Sequence, residues 1–142
     1  LAGILLLIQL VPYGRDHSNP PVVQEPNWDR PRTQELAVRA CFDCHSNETV
    51  WPWYAYIAPI SWRVADHVRV GRRNFNMSEG KWDDGEEIVE EVAEGHMPLW
   101  DYVLLHPEAK LNAEEKRAFI AGLKRTFGKN QTSDSDEDEN NQ

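Results

Sequence analysis

At 142 residues and a net charge of −9, the chain has room for one small domain rather than several. Residues 133–142 carry five acids and no base, which leaves −4 for the rest. No basic stripe exists to neutralise phosphates, so nucleic acid is excluded as a partner.

The first eleven residues, LAGILLLIQLV, are almost wholly apolar. The run is too short to span a bilayer alone, which takes about 20 residues. Its length also suits the apolar region of a signal peptide, but no small-x-small cleavage site follows Val11. Residues 1–11 therefore read as part of a transmembrane or signal-anchor segment. Residues 12–32 hold five prolines, at 12, 20, 21, 26 and 31. That density forbids a long helix and favours an extended, polyproline-like strap.

A first helix is expected from about Thr33, a reasonable N-cap. Leu36, Ala37, Ala40, Cys41 and Cys44 share one face at helical spacing, so the helix runs into Cys41-Phe42-Asp43-Cys44-His45. This C-x-x-C-H pentapeptide is the strongest signal in the chain, and it uses both cysteines. In such a motif two thiols add to the vinyl groups of haem and the adjacent imidazole binds the iron. The two-residue spacer sets the sulfurs about as far apart as the vinyl groups, and His45 brings its ring beneath the iron. Three other readings are weaker. A thioredoxin-like pair needs a βαβ context, a structural zinc needs four N/S ligands at finger spacing, and a simple disulfide or thiol pair fits haem-free protein.

Next comes an aromatic loop, Trp51-Pro52-Trp53-Tyr54-Ala55-Tyr56. It either walls a haem or packs as a turn. Six Trp and four Tyr are many for this length, and large aromatics suit a helical fold around a flat apolar cofactor. A second helix is expected from Ile60 to about Arg73, with Ile60, Val64, Val68 and Gly71 on its apolar stripe. A third spans about Asp84 to Glu94, with Ile88, Val89, Val92 and Ala93 inward and an acidic outer face. Gly95 stops it, and Pro98 stiffens the loop beyond. A fourth follows Asn112, with Glu115 completing a capping box. It buries Phe119, Ile120, Leu123 and Phe127 and ends at Gly128 as a C′ glycine. Residues 129–142 lack any apolar side chain and are expected to be a disordered acidic tail.

The iron needs a second axial ligand. Met97 is the first candidate, presented between His96 and Pro98; a thioether favours the reduced iron and raises its potential. His96 is next. His67 reads as a core or surface histidine, His106 as a structural loop residue, and His17 as part of the strap. Met77 lies in a polar Asn-Met-Ser-Glu turn and is expected to be exposed. A distal position left open would suit ligand sensing or peroxide chemistry instead.

The chain resembles small c-type cytochromes, and more narrowly the bacterial haem-binding-domain family of membrane-anchored monohaem proteins. Three segments carry the resemblance: VPYGRDHSNPPVVQEPNWD (11–29), ACFDCHSNETVWPWYAYIAPISW (40–62) and GHMPLWDYVLLHPEAKLNAEEK (95–116). It covers about residues 10 to 127. It implies that Cys41 and Cys44 attach one covalent haem c, that His45 is the proximal ligand, and that Met97 is the distal one. It also implies an all-α, cytochrome c-like domain over residues 33–128, with the first and fourth helices crossing beside the haem. The function that follows is one-electron transfer, by a carrier rather than a catalyst. Redox partner proteins are implied but not identified. The N-terminal segment would hold the domain at the bacterial cytoplasmic membrane, facing the periplasm or outer surface.

Overall fold

Proline and glycine punctuate the chain, and helices fill the intervals. The structure, a computed structural model, describes residues 1–128. Its regular elements are all helical: α1 (Ala2–Ile8), α2 (Pro31–Ala40), α3 (Phe42–His45), α4 (Ile60–Asn74), α5 (Gly85–Glu94), α6 (Trp100–Leu105) and α7 (Ala113–Phe127), with 3-10 turns at Trp53–Tyr56 and Pro107–Ala109. An isolated bridge pairs Gln24 with Glu79. Among the described residues, no helix is long and apolar enough to cross a membrane. The acidic tail expected at 129–142 lies outside the described residues.

The chain packs as two compact units. One comprises Leu1–Glu25 and Cys41–Lys81, the other Pro26–Ala40 and residues 82–128.

In the second unit, α2 and α7 pack on each other, as the resemblance implied for the first and fourth helices. Gly122 makes the approach possible, because a Cβ there would overlap the Thr33 side chain. Thr33 is therefore not an N-cap. The helix starts two residues earlier at Pro31, whose fixed φ and missing N–H suit the first helical position, and Thr33 is buried within it. Leu36, Ala37, Phe119 and Leu123 are fully buried. Trp28 and Trp82 each set their ring 5.8 Å from that of Phe127.

Asn112 and Glu115 form the expected capping box, with Glu115 N–H donating to Asn112 Oδ1 at 2.9 Å and Asn112 N–H to Glu115 Oε2 at 3.1 Å. Glu115 also takes Arg32 at 3.1 Å and Arg39 at 2.7 Å. These guanidiniums and the cap lower its pKa to about 2. Ile120 and Ala93 are less buried than expected, Ala93 being exposed. Gly128 caps α7 in an extended conformation, φ −68°, not as a left-handed C′ residue. Gly95 does end α5 left-handed, at φ 84°. Helix α6 falls between the third and fourth expected helices, where no helix was assigned.

In the first unit the short α3 packs against α4, and α4 against the aromatic turn. Val68 and Gly71 are buried on α4, but Ile60 at its start is exposed. The segment from Pro12 to Arg30 contains no helix, in keeping with its prolines. His17 in that strap is packed, stacking on Trp51 at 4.4 Å and meeting Tyr56 edge-on at 4.4 Å.

Candidate functional site

The C-x-x-C-H motif does not continue α2. The backbone turns at Cys41, φ −128° and ψ −34°, and a separate turn of helix, α3, carries Cys44 and His45. The Cys41 carbonyl accepts from both Cys44 N–H (3.1 Å) and His45 N–H (2.9 Å). The pentapeptide is thus a closed loop with two thiols and an imidazole on a rigid frame. Cys41 and Cys44 are thiols, not a disulfide.

That frame is bonded on every side. The Ser46 hydroxyl donates to the Phe42 carbonyl at 2.7 Å, and Thr49 Oγ1 to the Asp43 carbonyl at 2.7 Å. Asp43 Oδ1 accepts from Val50 N–H at 2.9 Å. Arg72 of α4 reaches over the motif, giving Nε–H to the Ser46 carbonyl at 2.8 Å and Nη groups to Asn19 at 2.7 Å and Thr49 at 2.9 Å. Gly71 sits so close to Cys44 that a Cβ would overlap the Cys44 carbonyl oxygen. Its place on the apolar stripe therefore reflects a backbone approach that glycine alone permits.

His45 is held from the segment after α4. Its Nδ1 lies 3.0 Å from the Phe75 carbonyl oxygen, and its own carbonyl accepts from Met77 N–H at 2.8 Å. A carbonyl can only accept, so Nδ1 carries the proton and the Nε2 lone pair is left for a metal. This is the tautomer and outer hydrogen bond that metal-binding histidines use. Burial holds the imidazole pKa below its usual value, partly offset by the Phe75 and Gly71 carbonyls, so the ring is neutral as a ligand must be.

The expected exposure of Met77 is overturned: its side chain is 1% exposed. The polar neighbours that suggested a surface turn are themselves buried and bonded. Asn76 Nδ2 donates to Asn47 Oδ1 at 2.8 Å, Ser78 Oγ accepts from Asn47 N–H at 3.0 Å, and Asn47 Nδ2 reaches the Pro21 carbonyl at 3.0 Å. Reading the sequence missed Phe75 and Met77 as supports of His45, and Asn76 and Ser78 as partners of Asn47, because they lie about thirty positions away and follow no period.

The other candidates are placed as follows. Met97, in the second unit, is half-buried and lines a cavity of about 170 Å³ with Val92, Pro98 and Val103. The N–H groups of His96 and Met97 both bond the Glu91 carbonyl, at 3.0 and 3.1 Å. The His96 ring is exposed beside Glu91 and Glu94, 3.4 Å from each carboxylate. His106 stacks on Tyr102 at 4.2 Å. In the aromatic turn Trp51 packs inward on His17, whereas Trp53 and Tyr56 face outward.

A family model described as a haem-binding domain matches residues 3–125. The chain belongs to the haem-binding domain family. Comparison with curated proteins and with solved structures gives no match. The residues present fit a haem better than a bare ion. Among the described residues no three His, Cys, Asp or Glu side chains gather where they could hold a metal ion, as a zinc site would require. A haem would need no such convergence, since it brings its own four nitrogen ligands and asks the protein for one or two axial groups. Burial pushes the Cys41 thiol up to about 12, with repulsion from Cys44 adding to it.

Proposed function

We propose that this haem-binding domain carries one electron at a time on a single c-type haem. Cys41 and Cys44 would each add S–H across a vinyl group, giving two thioethers. His45 would ligate the iron through Nε2, and Met97 would be the second axial ligand. When bound, the haem supplies reversible exchange between ferric and ferrous iron. The protein fixes the ligand geometry and the surroundings that set the potential.

The observation that carries this reading is the His45–Phe75 hydrogen bond in a C-x-x-C-H frame held on several sides. A redox carrier needs ligands that do not rearrange between oxidation states. The His45 ring is oriented by Phe75, its main chain by Met77, and the next residue by Arg72. The choice of Met97 over His96 rests on chemistry and surroundings. Met97 is half-buried in a cavity lined by Val92, Pro98, Val103 and Leu111 together with Lys110 and Lys116, while the His96 ring sits in solvent against two carboxylates.

Covalent haem attachment takes place outside the cytoplasm, and the apolar segment at 1–11 suits attachment to a membrane. The proposed location is therefore the bacterial cytoplasmic membrane, with the domain toward the periplasm or outer surface and redox proteins as partners. The test is the optical spectrum of the haem-loaded protein with and without carbon monoxide. A six-coordinate, low-spin ferrous haem that ignores carbon monoxide is expected. A five-coordinate ferrous form that binds it would overturn the carrier reading in favour of a sensor or peroxidase.

A further inference from the structure

The first unit carries two groups of bare apolar side chains. In α1, Leu5, Leu6 and Leu7 are 51%, 73% and 66% exposed. At the aromatic turn and the start of α4, Trp53 is 75% and Tyr56 63% exposed, with Ile57 and Ile60 also bare. Gln9 ties the groups together. Its amide donates to the Ala58 carbonyl at 2.9 Å and accepts from Ala58 N–H at 3.0 Å. A second tie follows at Gly14, where a Cβ would stand 2.8 Å from the Ser61 carbonyl oxygen. The strap backbone therefore lies directly on the first turn of α4. Bonded at Gln9 and packed at Gly14, α1 leaves the unit in a fixed direction.

Consecutive residues in a helix point about 100° apart, so Leu5, Leu6 and Leu7 together with Ile4, 64% exposed, leave no face of the helix covered. A protein partner covers one face of a helix; a helix apolar all round belongs in a protein core or in lipid. Trp and Tyr beside it are the side chains that collect at membrane surfaces, where an apolar ring and a polar tip are both satisfied.

We propose that α1, the aromatic turn and the start of α4 form one lipid-facing surface, with Trp53 and Tyr56 at the headgroup level of a phospholipid bilayer. The inference deepens the membrane attachment proposed above and rests on it. Attachment alone would leave the unit swinging on its strap. The Gln9 and Gly14 ties instead hold the C-x-x-C-H unit at a set orientation to the bilayer, the one at which a membrane-bound redox partner would meet it.

The test places p-benzoylphenylalanine at position 53 of the full, haem-loaded chain and irradiates it on phosphatidylcholine vesicles. Position 79, exposed on the segment after Ser78, serves as the control. Flotation with the vesicles is scored separately. Phospholipid adducts at 53, absent at 79 and lost in Gln9→Ala although the chain still floats, are the expected result. Flotation without lipid adducts at 53 overturns the surface and leaves simple anchoring standing. Adducts to a second copy of the chain overturn it in favour of self-association. Failure to float overturns both this inference and the attachment it rests on.

Discussion

His45 shows how much of the site one residue's surroundings decide. A C-x-x-C-H motif states which side chains are available; the Phe75 carbonyl decides which nitrogen is left free to take a metal. Replacing Met97 with Ala in the haem-loaded protein should remove the weak far-red absorption of Met–iron ligation and lower the reduction potential, while leaving the haem covalently bound. An unchanged potential would show that Met97 is not the ligand. The Cys41 thiol gives a second expectation. With its pKa pushed up to about 12, little of the reactive thiolate is present near neutral pH. In haem-free native protein Cys41 should alkylate much more slowly than in denaturant, as peptide mass mapping would show. Equal rates would mean that the thiol is not buried. Gly71→Ala forces a methyl group into the Cys44 carbonyl. Overpacking of this kind costs about 1–3 kcal/mol, which denaturation of the haem-loaded protein would register as a lower midpoint. The motif, its ligand and Met97 were legible as candidates because short-range spacing encodes them. Met77 was not, because Asn76 and Ser78 look like a surface turn until their partners, Asn47 and the strap, are in place.

Among the elements, α7 was the most legible. Its capping box, its buried Phe119, Leu123 and Phe127, and its length follow from local rules that tertiary structure leaves alone. Asn112→Ala should cost about 1 kcal/mol by removing the cap, read from the chemical denaturation curve. Glu115 adds a pH dependence. Its pKa is depressed in the folded state to about 2 by Arg39, the cap and Arg32, so its contribution is complete above the ordinary carboxylate pKa near 4.5. That contribution fades as pH falls from there toward about 2. Glu115→Gln should be less stable than the parent at pH 6, and the gap should close by pH 2. A gap that persists at pH 2 would assign the effect to shape rather than charge. The start of α2 was misjudged at Thr33, since Pro31 opens the helix and Thr33 is needed against Gly122. The break at Cys41 was also hidden. Apolar periodicity runs on through the motif, and only the hydrogen bonds closing on the Cys41 carbonyl show that a second helix has begun.

For the whole molecule, an all-helical fold was foreseen from the spacing of apolar residues, and membership of the haem-binding domain family from the pentapeptide with its flanking segments. The packing into two units was not, because the boundary between Ala40 and Cys41 cuts through a continuous helical pattern. The many aromatics also divide by role in a way that composition cannot reveal. Trp28 and Trp82 pack on Phe127, Trp51 on His17, and Trp53 remains outside. Covalent attachment of one haem through Cys41 and Cys44 can be read from the intact mass of the chain under denaturing conditions. After expression with haem-attachment machinery, the mass should equal the polypeptide plus one haem, and it should fall to the polypeptide alone when both cysteines are changed to Ser. A parent chain that shows only the polypeptide mass, while binding haem that solvent extraction removes, would mean that Cys41 and Cys44 do not attach it.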